Sequence, residues 1–209
     1  MRSDRWVFWL GLLYLGSGLL SWVIVSGAGF NLNPVDLAEW TSLAPAIQNQ
    51  SPPLFTTFLL RTFLLIATLL LALGAGRRRW LAVIVVIVLA AAQFPPFEFL
   101  ADSGNANYRQ QMLMAALTLA LGFAAVFLLP VRYRELVAVI VTIVGLVAIG
   151  VGVSSALATL GTYGLDAAPG LGAWIAAIAL ASALVVSASG IKKRRTQAPL
   201  SDSVQHERS

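Results

Sequence analysis

Apolar residues run along this chain in six long blocks separated by short polar segments. The blocks occupy residues 6–26, 54–76, 80–94, 112–130, 136–160 and 171–189. Most of them approach the ~20 residues that an α-helix needs to cross a membrane. Unpaired backbone groups are costly in lipid, so segments this apolar predict helices rather than open strands. The pattern predicts an all-α, polytopic integral membrane protein, a bundle of six transmembrane helices in one domain, residues 1–195.

Basic residues occupy every second connection between the predicted helices. They are Arg2 and Arg5, then Arg77, Arg78 and Arg79, then Arg132 and Arg134, and finally Lys192, Lys193, Arg194 and Arg195. Short loops rich in Lys and Arg stay on the cytoplasmic side of a membrane. We therefore expect an integral protein of a bacterial plasma membrane with both termini in the cytoplasm and residues 196–209 as a disordered cytoplasmic tail.

Composition supports a membrane protein and argues against a metal or cofactor site. Hydrophobic residues make up 58% of the 209 residues and charged residues only 11%, against roughly 25% charged residues in soluble domains. The basic loops account for the net charge of +5, so we expect the lipid bilayer rather than nucleic acid as a partner. The chain has no cysteine and a single histidine, His206, in the polar tail. No metal site or cofactor is expected.

The first block has two interpretations. A basic start, an apolar run and the small residues at 26–29 resemble a cleavable signal peptide. The apolar run is longer than the ~7–15 residues of a signal peptide, which favours an uncleaved helix. Within this block, Gly16, Ser17 and Gly18 form either a packing notch or a weak point of the helix.

Residues 27–53 form the longest connection, and Asn33-Pro34 within it predicts a helix start. Asn is a good N-cap, Pro suits the first helical position, and Asp36 lies in the positive first turn. We expect a short interfacial helix that either rests among lipid headgroups or covers a cavity that opens outward.

The third block is too short for a full crossing. Fifteen residues rise only ~22 Å, and Pro95-Pro96 then removes two backbone donors. The segment 97–100 is apolar except for Glu98, so we expect it to complete the crossing as a separate, broken piece. Such backbone is tolerated only against protein or a wet cavity.

Arg61 is the one arginine well inside an apolar block, and Glu98 is predicted at a similar depth. A lone charge in lipid costs at least ~2.5–3.5 kcal/mol, so each residue needs a partner or water. Our central hypothesis is that Arg61 and Glu98 form a buried ion pair or face one water-filled vestibule. The alternative is that Arg61 extends outward to phosphate while Glu98 lies among headgroups.

A polar run around the same place offers groups for a ligand. Asp102, Tyr108 and Arg109 supply two charges and an aromatic ring, as a site for a small polar molecule would require. An ordinary hydrated loop is the alternative interpretation.

Small residues recur at four-residue spacing in the last two blocks. The sets are Gly150 and Ser154, Ala148 and Gly152, and Ala173, Ala177 and Ala181. Such spacing places small groups on one helix face, where helices approach closely. These faces could pack within the bundle or bind another membrane subunit or a second copy of the chain.

Two functions follow from these features, and an enzyme is not among them. The first is a non-enzymatic membrane protein that binds or transports a small polar molecule at a site open to the outer side. The second is a structural or assembly subunit of a larger membrane complex. A membrane serine protease needs a His or Lys base, and the blocks contain neither.

Overall fold

A computed structural model describes residues 2–26, 29, 31–76, 78–97, 102 and 104–197 of the chain. Within these ranges the protein is mostly helical. The helices are α1 (Arg2–Ser17), α2 (Pro34–Leu43), α3 (Pro45–Gln48), α4 (Phe55–Gly74), α5 (Arg79–Ala91), α6 (Ala106–Phe123), α7 (Arg134–Thr162) and α8 (Leu171–Gln197). Short strands lie between them: β1 (Val23–Val25), β2 (Asn31–Leu32) and β3 (Ala167–Pro169).

Four of the described helices are long and apolar enough to cross a membrane, which is compatible with an integral membrane protein. They are α4, α6 with its π-helical continuation to Leu128, α7 with the preceding 3₁₀ turn from Val131, and α8 as far as Lys192. These four correspond to the second, fourth, fifth and sixth predicted blocks. The helices in the first and third blocks, α1 and α5, are shorter, with 16 and 13 residues.

Helix α1 ends at Ser17, whereas the predicted span extended to residue 26. Gly16-Ser17-Gly18 is the weak point: the Ser17 hydroxyl donates to the Tyr14 carbonyl, and the Trp22 indole donates to the Ser17 carbonyl. These bonds satisfy backbone acceptors that a continuing helix would otherwise use. Gly18 also fits beneath the ring of Phe63, because a Cβ there would lie 2.5 Å from that ring.

The chain after α1 forms a small sheet, which the all-α prediction did not include. β1 is the middle strand and pairs antiparallel with β2 on one side and β3 on the other. Its residues Val23, Ile24 and Val25 are β-branched, which favours extended backbone. The sheet links the connection after α1 to the connection between α7 and α8.

Helix α4 is shared by two packing units. It packs against α1 and α7, and α8 packs against both of these helices, which gives the four-helix half of the bundle. It also packs against α5 and α6, which pack against each other and complete the three-helix half. Helix α2 lies against α4 at the end where α4 and α6 begin.

The small residues of α7 and α8 divide between the interior and the surface. Ala148 and Gly152 are buried, and Gly152 faces Leu60 of α4, whereas Gly150 and Ser154 are exposed. On α8 the buried face follows Ala173, Ala176, Leu180, Ala183 and Ser187 rather than the predicted 173, 177 and 181. Alternating three- and four-residue steps keep a helix face toward its partner, whereas repeated four-residue steps rotate away from it.

Candidate functional site

The early end of α5 leaves a cavity at one end of the three-helix half. The helix stops at Ala91, before Pro95 and Pro96, so it does not accompany α4 and α6 along their whole length. A cavity of about 600 Å³ occupies this position, bounded by α2, the start of α4, the chain after α5 and the start of α6. Its volume falls in the range of ~300–1,000 Å³ that is typical of small-molecule sites.

Helix α2 forms one wall of the cavity, and the predicted helix start is confirmed. The Asn33 side chain accepts hydrogen bonds from the backbone N–H groups of Val35 and Asp36, at 2.9 and 3.0 Å. Pro34 occupies the first turn. This cap fixes the start of α2 and so positions Glu39, which faces the cavity from the middle of the helix.

Arg61 is the centre of a polar network that joins three helices. Its Nη2 donates to Glu39 Oε1 at 2.6 Å and to Asn107 Oδ1 at 2.8 Å. Its Nη1 donates to the Asn107 carbonyl at 3.2 Å and to Gln110 Oε1 at 3.0 Å. Arg61 lies on α4, Glu39 on α2, and Asn107 and Gln110 on α6. The guanidinium therefore ties together the three helices that border the cavity.

Glu39 receives further hydrogen bonds from α6 and presents the accessible charge of the network. Gln111 Nε2 donates to its Oε1 at 2.8 Å, and Asn107 Nδ2 donates to its Oε2 at 3.3 Å. The Glu39 side chain is 47% exposed, whereas the Arg61 side chain is only 8% exposed. A molecule that enters the cavity therefore meets the carboxylate, with the guanidinium behind it. We call Arg61, Glu39, Asn107, Gln110 and Gln111 the Arg61 network.

Gln93 is a second buried polar side chain in the cavity wall. Its Nε2 donates to the Leu89 carbonyl at 3.0 Å and to Thr118 Oγ1 at 2.8 Å. Its Oε1 is buried and accepts no hydrogen bond from the described residues. A buried acceptor without a partner is destabilising by about 1–3 kcal/mol. Such groups are few in native proteins, and a role at a functional site is one physical explanation for this one.

The predicted site residues take different positions. Arg61 and Tyr108 line the cavity. The described lining of the cavity does not include Asp102 or Arg109, and both residues are exposed. Asp102 accepts a hydrogen bond from Asn105 Nδ2 at 3.2 Å. Glu98 and the predicted extension to residue 100 lie outside the described residues, so the predicted Arg61–Glu98 pair stays a prediction. Within the described part of the chain, Arg61 forms its ion pair with Glu39.

Glu39 and Gln93 are two polar cavity residues that the sequence pattern did not single out. The connection between the first two apolar blocks holds two acids, and the position of Asp36 in the first turn of α2 explains only one of them. Glu39 lies beyond that turn, beside Trp40, and this unexplained charge was the available signal. For Gln93 the signal was a lone amide in an otherwise apolar run just before Pro95-Pro96.

Comparisons with protein-family models, curated proteins and solved structures found no match to this chain.

Proposed function

We propose that this protein binds, or carries across the membrane, a small polar molecule in the cavity beside Arg61, without catalysing a reaction. In this proposal the chain crosses the bilayer six times with both termini cytoplasmic, and the cavity opens to the outer side. The alternation of basic connections supports that orientation. Helices α1 and α5 are short, so the segments that follow them complete their crossings. For α1, this segment includes β1, whose backbone is paired on both sides.

The observation that carries the proposal is the combination of an open volume with buried polar groups. A volume of about 600 Å³ beside a membrane-spanning helix would otherwise be filled by side chains, because protein interiors are close-packed. Charged and amide groups converge on it from α2, α4 and α6, while Leu60, Phe63 and Leu64 supply an apolar wall. A few placed polar groups in a largely apolar pocket are typical of small-molecule sites.

A ligand-stabilisation screen tests this proposal. The full chain, purified in mild detergent, is unfolded by heat in the presence of a library of small polar compounds. We expect one class of compounds to raise the midpoint of unfolding in a concentration-dependent way, because a ligand that binds only the folded state stabilises it by mass action.

A matched pair of variants then locates the binding. Ala92 lines the cavity, whereas its neighbour Ala91 does not, and both are exposed at the end of α5. Ala92→Trp should obstruct the cavity and reduce the stabilisation by the compounds, while Ala91→Trp should retain it. An equal loss in both variants, or no loss in either, would place binding elsewhere and contradict the proposal.

A subunit of a larger membrane complex is the second candidate, favoured by one observation. The exposed small residues Gly150 and Ser154 lie on the outer face of α7, and no atom of another described helix lies within 4 Å of a Cβ built on Gly150. A partner helix or a second copy of the chain could approach closely there. Isolation in mild detergent distinguishes the candidates: a stoichiometric partner lost in Gly150→Leu favours the subunit, and a monomer stabilised by a ligand favours the binder.

A further inference from the structure

We infer that the molecule bound in the cavity is an amphiphile, with a hydrogen-bond-donating, non-anionic head at Glu39 and an apolar chain that leaves between Leu43 and Phe94. This inference rests on the proposed function and identifies the small polar molecule in the cavity as the head of an amphiphile. Two sets of contacts support it, one for the head and one for the chain.

The chemistry of the ligand's polar head is inferred from the unequal exposure of Arg61 and Glu39. The terminal nitrogens of Arg61 already make four hydrogen bonds, and the side chain is buried. An anionic head would therefore find few free donors on Arg61 and would meet the Glu39 carboxylate first. Glu39 Oε1 accepts two hydrogen bonds, whereas its Oε2 accepts one at 3.3 Å from the described residues. Since a carboxylate has about four acceptor positions, Oε2 has capacity for an ammonium or hydroxyl donor.

The position of the ligand's alkyl chain is inferred from apolar residues at the rim of the cavity. Leu43 at the end of α2 is 74% exposed, and Phe94 after α5 is 55% exposed, and both line the cavity. Val35 on α2 is a third exposed apolar lining residue. At the mouth of a site for a fully polar molecule, such residues would favour neither entry nor binding. They suit an alkyl chain that extends from the cavity toward the bilayer, because apolar contact there removes area from water.

Photo-crosslinking tests the inference with three probes of the same chain length. Each is a diazirine-bearing alkyl chain that ends in a primary amine, a hydroxyl or a carboxylate. The full chain is reconstituted in phosphatidylcholine nanodiscs, irradiated with each probe and mapped by peptide mass spectrometry. We expect the amine and the alcohol to label the segments around Leu43 and Phe94 several-fold more than the carboxylate. Equal labelling by all three probes, or preferential labelling by the carboxylate, would overturn the inference.

Matched variants separate specific binding from partitioning into the bilayer. Leu43→Asn and Phe94→Asn should reduce the labelling of the cavity several-fold. The controls are Leu128→Asn and Phe127→Asn, which change residues of similar exposure, 77% and 57%, away from the cavity. Equal effects of the cavity variants and the controls would contradict the proposed path of the ligand's alkyl chain out of the cavity.

Glu39→Gln tests the head and is independent of the rim variants. The amide keeps one acceptor oxygen and loses the charge, so labelling by the amine should fall more than labelling by the alcohol. An unchanged ratio between these two probes would remove Glu39 from the recognition of the head. If this variant fails to fold, the comparison of the three probes on the protein without substitutions still decides the inference.

The source of the amphiphile is distinguished by the lipid of the nanodisc. Phosphatidylethanolamine carries an ammonium donor, and phosphatidylcholine carries none. Competition by the first lipid alone identifies a membrane lipid, and competition by neither identifies a free amphiphile. Failure of the inference is distinct from failure of the proposed function. Stabilisation by polar compounds that Ala92→Trp reduces, without donor-selective labelling, leaves the function standing and removes the amphiphile.

Discussion

In the four-helix half, α1, α4, α7 and α8 pack along much of their length, and glycines lie where the backbones approach. Gly74 of α4 contacts α1 at Phe8, and Gly145 of α7 fits between Leu180 and Ile66. In the three-helix half, by contrast, the apolar core lies at the end where α4 stops and α5 begins, around Leu73 and Val86. The opposite end of that half holds the cavity and the Arg61 network.

This difference follows from the length of one helix. A full-length α5 would continue the apolar core between α4 and α6, as α8 does between α1 and α7. Because α5 stops at Ala91, residues 92–97 and helix α2 border the space instead, and their side chains include Glu39 and Gln93. A short helix in an otherwise well-packed bundle thus produces both the volume and the polar lining of the candidate site.

The largest effect is expected in the four-helix half, from Gly74→Val. A Cβ on Gly74 would lie 2.6 Å from the Cα of Phe8, so α1 and α4 must separate. Overpacking commonly destabilises by about 1–3 kcal/mol, and a clash with backbone belongs at or above the upper end of that range. The midpoint of thermal unfolding should fall sharply. Gly150→Val is the control, because open space surrounds that position. Similar midpoints for the two variants would contradict the close packing of α1 against α4 at this position.

A smaller loss is expected in the three-helix half from Arg61→Leu. Removing one partner of a buried ion pair costs ~3–5 kcal/mol. Because almost half of the Glu39 side chain remains in solvent, we expect about 1–3 kcal/mol here. The measurement is the unfolding midpoint of the single and double variants.

The second substitution identifies the partner of Arg61. If the pair with Glu39 dominates, Glu39→Gln in the Arg61→Leu background should cost much less than it costs alone, since the carboxylate has already lost its partner. Glu98→Gln serves as the comparison, because the sequence predicted that residue as the partner. Strong coupling to Glu98 and additivity with Glu39 would contradict the Arg61 network as described.

Local features of this fold were readable from the sequence. Asn33-Pro34 predicted the start of α2 because an N-cap and a first-turn proline act on neighbouring atoms. The Pro95-Pro96 pair predicted an interruption after α5 for the same reason. The end of α1 at Ser17 was harder to predict, since the apolar run continues to Val25 and only the paired strands show that this part is extended.

The partners within the site were less predictable, because they depend on tertiary contacts. The sequence indicated that Arg61 needs a partner or water, yet Glu39 is 22 positions away and Asn107 is 46. Only the packing of α2 and α6 against α4 brings these groups together. Depth along a helix could be estimated at ~1.5 Å per residue, but the direction in which each side chain points could not.

The smallest effect is expected from Asn33→Ala, which acts on the cavity wall through the backbone of α2. The substitution removes the acceptor for the N–H groups of Val35 and Asp36, and loss of such a cap costs about 0.5–2 kcal/mol. Helix α2 should then open more often, which a faster hydrogen exchange of its amides would report. Asn33→Ser, which keeps a side-chain acceptor and adds no negative charge beside Asp36, is the control. Because the four-helix half does not depend on this cap, the amides of α7 and α8 should exchange at an unchanged rate. Faster exchange throughout α7 and α8 would mean that the halves open together, and the cavity would then be part of a single cooperative core.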